Sequence, residues 1–77
     1  RFEPASALVS GVDGLDDIRV IISQSTSYLR ANGWLVIEHG CDQGPAARDL
    51  MLSAGFSQVA THQDYNHLDR VTVGQWQ

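Results

Sequence analysis

The longest uninterrupted run of apolar residues lies at 34–37, and a polar, glycine-rich stretch, EHGCDQG, follows it. A strand with one exposed face alternates apolar and polar residues, whereas a continuous apolar run indicates a strand covered on both faces. We therefore expect a buried strand over residues 34–38. The abrupt change to polar residues is typical of the carboxyl edge of an α/β sheet, where such sheets bind ligands.

Residues 15–31 have the pattern of an amphipathic helix, with apolar or small residues at three- and four-residue steps. Aspartates crowd its start and Arg30 lies in its last turn, an arrangement that complements the helix dipole. Asn32 and Gly33 predict its end, because these residues adopt the left-handed conformation at low cost. The expected inner face consists of Ile18, Ile21, Ile22, Ser25, Tyr28 and Leu29.

The second half of the chain predicts a further helix and two strands. Pro45 suits the first turn of a helix and Gly55 its end, so a helix is expected over 45–54. Strands are expected at 56–62 and 70–76, and a polar connection of hairpin type joins them.

Residues 1–14 are expected to form a loop, with a short helical turn as an option over 5–9. The predicted order is thus helix, strand, helix, strand, strand, which indicates an α/β fold whose last strand is antiparallel. With three strands and one helix on each face, the apolar strand at 34–38 would have an uncovered flank, which is unfavourable. We therefore infer that its neighbour lies in polypeptide outside these 77 residues.

Composition narrows the range of partners. The chain has a formal net charge of -4, contains no lysine, and its 5 arginines are scattered, so no basic surface for nucleic acid or an anionic membrane is expected. The longest apolar run is far shorter than the ~20 residues that cross a bilayer. The single cysteine, Cys41, excludes an internal disulfide and fits a cytoplasmic setting.

Several stretches stand out by their order and spacing. They are RFEP at 1–4, DGLDDI at 13–18, GWLVIEHGCDQG at 33–44, AGF at 54–56 and DYNHLDRVTVGQ at 64–75. Together they resemble the C-terminal portion of HemK/PrmC-type methyltransferases. The resemblance extends over essentially the whole chain without a visible gap, and RFEP and EHG..QG are its more specific parts.

The resemblance implies a class I, Rossmann-like fold that uses S-adenosylmethionine to methylate a glutamine side chain in bacterial peptide chain release factors. In the family a glycine-rich loop binds the cofactor and an Asn-Pro-Pro-Tyr segment holds the target amide, and neither motif occurs here. Residues 1–77 would be a C-terminal fragment, with 1–14 as the loop after the catalytic motif and 15–77 as the sheet tail. We expect no catalytic or cofactor-binding residue in it, no bound cofactor, and no activity without the N-terminal half of the domain.

Through this resemblance, Arg1 and Glu3 would adjoin the catalytic loop, and Glu38 and His39 would end a strand on the ligand-binding side. These four residues are the candidate lining of the substrate cleft. The alternatives are that Arg1 and Glu3 pair with each other or with solvent, and that Glu38 caps the N–H groups of a neighbouring loop. His39 stands where the family more usually has an aliphatic residue, which weakens its case.

A metal site is disfavoured at His39, Cys41 and Asp42, because zinc sites need four ligands at set spacings. Nor does the sequence bring a base and an orienting group to Cys41, so a catalytic thiol is disfavoured too. We expect no metal ligand in the chain, and Cys41 as an ordinary loop or core thiol.

Two other classes of function remain open. One is a stand-alone α/β module that binds a protein partner along an exposed sheet edge. The other is a related amino-methyltransferase acting on nucleic acid adenine, because those enzymes share the Asn-Pro-Pro-Tyr motif. Trp34 and Tyr28 are expected in the core and Trp76 at a strand end, rather than as a platform that stacks on bases.

Overall fold

The computed structural model describes residues 6–12 and 14–77. Within these residues the chain forms two helices and one four-stranded mixed sheet, so the fold is α/β. The elements are β1 (Ser6–Val12), α1 (Leu15–Ser25), β2 (Trp34–His39), α2 (Gly44–Ser53), β3 (Ser57–Gln63) and β4 (Asp69–Gln75).

The sheet has the strand order β1-β2-β4-β3. β1 is parallel to β2, and β4 is antiparallel to both β2 and β3. The last strand is therefore antiparallel, as predicted, and inserts between its neighbours. Because β3 runs in the same direction as β1 and β2, the carboxyl ends of these strands lie along one edge of the sheet.

The prediction of a loop over residues 1–14 is wrong where the structure describes this segment. Ser6–Val12 forms β1, not a loop or a helical turn over 5–9, and the order of elements is strand, helix, strand, helix, strand, strand. The physical reason is backbone pairing, since β1 supplies hydrogen-bond partners to one side of β2. Residues 1–5 and 13 lie outside the described residues.

The inference that the 34–38 strand has an uncovered flank is also wrong. Val36 pairs with Leu8 of β1 on one side and with Val73 of β4 on the other. β2 is therefore an internal strand, and this chain alone supplies both of its neighbours.

Both helices pack on the same face of the sheet, and the expected arrangement of one helix on each face is wrong. α1 and α2 contact each other, and residues of both join Leu35 and Ile37 of β2 in one core. Trp34 and Val36, which point to the opposite face, are only half-buried. The buried core consists of Val12, Ile18, Ile22, Leu29, Leu35, Ile37, Ala47, Met51 and Phe56.

The first helix ends at Ser25, earlier than the predicted residue 31. The hydroxyls of Ser25, Thr26 and Ser27 each donate a hydrogen bond to the carbonyl three residues before, at 2.7 to 2.9 Å. Such bonds compete with the helical ladder, so a run of these residues favours a turn. Tyr28 lies in that turn and is exposed, contrary to its predicted core position.

The end of α2 was predicted at Gly55 and has the geometry that glycine permits. Gly55 has φ +102°, and the Phe56 N–H donates to the Met51 carbonyl at 3.0 Å. This is a Schellman motif, which directs the chain back over the sheet. Phe56 then packs on Trp76, with ring centroids 5.1 Å apart, so Trp76 does lie at a strand end as predicted.

Candidate functional site

An open cleft of about 690 Å³ lies at the carboxyl ends of β1 and β2. The loop between β3 and β4 closes its third side. Open α/β sheets bind ligands at this edge, so the position of the cleft makes it the candidate site. The side chains and backbone that form its polar wall belong to Ser10, Gly11, Glu38, His39, Asp64 and Arg70.

A bulge in β1 aims a hydroxyl at the carboxylate of Glu38. Val9 pairs with Ile37 and Val12 with His39, so β1 contains one extra residue between these pairs. Gly11 lies in the bulge with φ +71°, a conformation that favours glycine. The Ser10 hydroxyl consequently donates to Glu38 Oε1 at 2.6 Å. Glu38 is thus bound by a hydroxyl of β1, where a loop N–H was considered from the sequence.

His39 follows Glu38 along β2 and turns its ring the other way, into the protein. It is only 5% exposed. Its Nδ1 lies 2.8 Å from the Gly40 carbonyl oxygen and its Nε2 lies 2.7 Å from Thr72 Oγ1. Thr72 Oγ1 in turn lies 2.8 Å from Thr61 Oγ1. A line of hydrogen bonds therefore crosses β2, β4 and β3 just behind the cleft.

The loop between β3 and β4 is organised by Asp64. Its Oδ1 accepts hydrogen bonds from the Asn66 and Leu68 N–H groups, at 2.8 and 3.2 Å. Its Oδ2 accepts from Arg70 Nε at 3.0 Å. The Arg70 side chain, followed by the Leu68 and Asn66 N–H groups, holds the pKa of Asp64 below its usual range. Asp64 and Arg70 thus form an ion pair, and Glu38 is the other acidic side chain of this wall.

The structure brings Glu38 and His39 together at the cleft, while Arg1 and Glu3 lie outside the described residues. Contact of any of the four with a substrate stays a prediction. Sequence reasoning missed Ser10, Asp64 and Arg70. A glycine inside a strand is a signal for a bulge, but it is readable only once Ser6–Val12 is recognised as a strand. The loop residues carried no signal beyond a solvated turn.

Other candidate chemistry is sparse in the part of the chain that the structure describes. Cys41 is exposed in the turn after β2. Among residues 6–12 and 14–77, no cluster of three or more His, Cys, Asp or Glu side chains is placed to hold a metal ion. Neither α1 nor α2 has the length and apolar character that crossing a membrane requires.

A four-stranded mixed sheet whose last strand inserts antiparallel, with a polar cleft at the carboxyl edge, is consistent with the C-terminal part of a Rossmann-like α/β domain. No protein-family model matches the chain. Curated proteins do, and they agree in name.

The chain is 54% identical over 76 residues to the release factor glutamine methyltransferase of Pseudomonas aeruginosa. It is 58% identical over 74 residues to that of Xylella fastidiosa and 45% identical over 76 residues to that of Escherichia coli. The alignments cover 99%, 96% and 99% of this chain, but only 28%, 27% and 27% of the respective relatives.

The chain is therefore homologous, along nearly its whole length, to the C-terminal part of release factor glutamine methyltransferases. This confirms the resemblance drawn from the sequence motifs. The chain spans little more than a quarter of the length of these relatives.

Proposed function

We propose that this chain is the C-terminal part of an S-adenosylmethionine-dependent methyltransferase that modifies a glutamine side-chain amide in bacterial peptide chain release factors. The observation that carries the proposal is the identity of 45–58% to proteins of that name across nearly the whole chain. A cytoplasmic location belongs to the same proposal, because translation takes place there.

The topology supports the proposal that the domain is of the class I, Rossmann-like type. β4 is antiparallel and lies between β2 and β3, which is the arrangement implied by the family resemblance. In this proposal residues 1–77 form the tail of the catalytic sheet. Its closest partner is the N-terminal half of the same domain.

Methyl transfer to a glutamine amide needs groups that this chain does not contain. An amide nitrogen is a poor nucleophile, because its lone pair is delocalised into the carbonyl. Orientation of the reacting groups therefore supplies much of the rate, while the cofactor supplies the methyl group. The polar wall of the cleft contains neither a glycine-rich loop nor an Asn-Pro-Pro-Tyr segment. We assign no cofactor contact and no step of methyl transfer to it.

The role proposed for this chain is to form one wall of the substrate cleft. Glu38 is a fixed hydrogen-bond acceptor, because Ser10 holds one of its oxygens. His39 is proposed to support the same wall from behind, because its ring is buried and bonds to Thr72. Arg1 and Glu3, which lie outside the described residues, are proposed as further lining residues of the substrate cleft.

The proposal is tested with the full-length protein, radiolabelled S-adenosylmethionine and two acceptors. We expect label in a release factor and none in a release factor whose Gly-Gly-Gln glutamine is replaced by alanine. Transfer to adenine in DNA, with no transfer to the release factor, would favour the nucleic acid alternative and overturn the proposal.

The wall residues are tested separately. Glu38→Gln and Ser10→Ala should raise KM for the release factor, because the first removes the carboxylate acceptor and the second removes the hydroxyl that holds it. Asp49→Asn is the matched control, since Asp49 is an exposed carboxylate on α2 outside the cleft. An unchanged KM in both wall variants would remove Glu38 from the proposed cleft without affecting the assignment of the reaction.

A further inference from the structure

We propose that His39 is a positioning residue: in its Nδ1–H tautomer it ties the turn at 40–43 to β4, and so fixes the edge of the cleft beside Glu38. The functional consequence rests on the proposed function, whereas the tautomer and the turn can be tested without it.

The partners of the ring fix its tautomer. The Gly40 carbonyl oxygen can only accept a hydrogen bond, so the ring nitrogen that lies 2.8 Å away, Nδ1, must carry the hydrogen. In the neutral ring Nε2 is then an acceptor, and the Thr72 hydroxyl donates to it. Thr72 Oγ1 is left to accept from the Thr61 hydroxyl. Each hydroxyl therefore donates to the next strand, in the direction from β3 through β4 to β2.

The bond from Nδ1 holds a turn that the sequence alone would leave loose. The Gly40 carbonyl also accepts from the Gln43 N–H at 3.1 Å, and the Gly40 N–H donates to Gln43 Oε1 at 2.9 Å. The N–H and the carbonyl of Gly40 are thus both hydrogen-bonded in the short turn that leads to α2 at Gly44. Because Gly40 lines the cleft, a change in this turn moves the cleft edge.

The two ring nitrogens can be tested one at a time. An asparagine amide nitrogen occupies the position of Nδ1, so His39→Asn keeps the donor to Gly40 and loses the contact with Thr72. A glutamine amide reaches the position of Nε2, so His39→Gln keeps a contact with Thr72 and loses the donor to Gly40. Thr72→Val removes the hydroxyl at nearly constant shape, and Thr72→Ser restores it.

The first measurement is the pattern of imidazole ¹⁵N chemical shifts in the full-length protein labelled at histidine, with His39 assigned by its loss in His39→Gln. We expect a protonated Nδ1 and an unprotonated Nε2, and a shift of the Nε2 signal in Thr72→Val that Thr72→Ser reverses. The exposed His62 and His67 serve as internal references. A protonated Nε2 at neutral pH, alone or together with Nδ1, would overturn the proposal. The tautomer itself is read in the wild-type protein and needs a folded variant only for the assignment.

The second measurement is amide hydrogen exchange at Gln43. Exchange should be roughly tenfold faster in His39→Gln, the size expected for the loss of one part-buried hydrogen bond. It should rise by less in His39→Asn, which keeps the donor to Gly40 and loses only the link to β4. KM for the release factor should rise in the order wild type, His39→Asn, His39→Gln. Equal exchange in both variants would overturn the positioning role. If wild-type protein transfers no methyl group, the proposed function fails, and the exchange result still decides the role of His39.

Discussion

The two faces of the sheet share the same strands but have different surroundings. On the face under the helices, Leu35, Ile37 and Thr72 are fully buried. On the other face, Val36 is half-buried and Leu8, its neighbour on β1, is 41% exposed.

The open face nevertheless carries apolar residues in register across the sheet. Leu8 pairs with Val36, Val36 with Val73, and Val73 with Ala60, so the four side chains form one row. The continuous apolar run of β2 therefore places apolar residues on both faces of the sheet. The described residues bury only the face under the helices. In the longer protein we expect the open row to be covered as well.

The largest effect should come from a matched pair of leucines on the two faces. Leu35→Ala should cost about 2–5 kcal/mol in the free energy of unfolding, because it leaves a cavity in the core. Leu8→Ala should cost about 1 kcal/mol or less in the 77-residue chain, since Leu8 keeps contact with water. Urea denaturation measures both losses.

The same pair sharpens the comparison when it is repeated in the full-length protein. There the loss for Leu8→Ala should grow toward that for Leu35→Ala. A loss at Leu8 that is equally small in both lengths of chain would mean that the open row stays uncovered.

A smaller effect is expected where a glycine of the covered face contacts α2. A Cβ on Gly74 would lie 2.8 Å from Met51 Sδ and 3.1 Å from Phe56 Cβ. Gly74→Ala should therefore cost about 1–3 kcal/mol through overpacking. The control is Gly14→Ala, because nothing lies within 4 Å of that position and its φ of -147° suits any residue. Since Gly14 is the N-cap of α1, where glycine is preferred to alanine, a smaller loss is expected there and not none. Equal melting temperatures for the two variants would contradict the packing of α2 on β4.

The bulge of β1 predicts a loss of similar or smaller size for a different reason. A Cβ on Gly11 would meet no atom within 4 Å, but its φ of +71° is unfavourable for alanine. Gly11→Ala should cost about 1 kcal/mol and weaken the bond from Ser10 to Glu38. Calorimetry gives the stability, and the Ser10 and Glu38 chemical shifts report the bond. Unchanged shifts together with an unchanged stability would exclude the bulge.

The smallest effect concerns pH. The folded-state pKa of Asp64 is lowered from its usual 3.8, chiefly by Arg70. The ionised carboxylate therefore contributes its full stabilisation at pH values above the unfolded-state pKa of 3.8. This contribution is lost as the pH falls through the lowered value. Asp64→Asn should flatten the acid limb of the plot of unfolding free energy against pH, because it removes this titrating carboxylate. Identical acid limbs for Asp64→Asn and wild type would contradict the bonds drawn to Asp64.

Much of the fold could be predicted from the sequence because its signals are local. The apolar run of β2, the proline that opens α2 and Gly55 at its end each act within a few residues, and the bounds of these elements came within one residue of those observed. β1 was missed because SALVSGV is a weak strand signal. It becomes a strand by pairing with β2, a partner far along the chain.

The candidate site was predictable only in part, for the same reason. Glu38 and His39 follow from the end of a recognisable strand. Ser10, Asp64 and Arg70 reach the cleft through a bulge and a loop whose positions depend on strand pairing. The early end of α1 reflects hydroxyl-to-carbonyl bonds that the apolar periodicity does not register.

We propose that this chain forms one wall of a substrate cleft whose catalytic residues lie in the rest of the protein. This proposal is tested most directly by splitting the enzyme. Methyl transfer to a release factor would be measured for the 77-residue chain, for the rest of the full-length protein, and for the two polypeptides produced together. We predict no transfer by either part, no saturable binding of S-adenosylmethionine to the 77-residue chain, and restored transfer by the pair. Methyl transfer by the 77-residue chain alone, or undiminished transfer by the rest without it, would contradict the account.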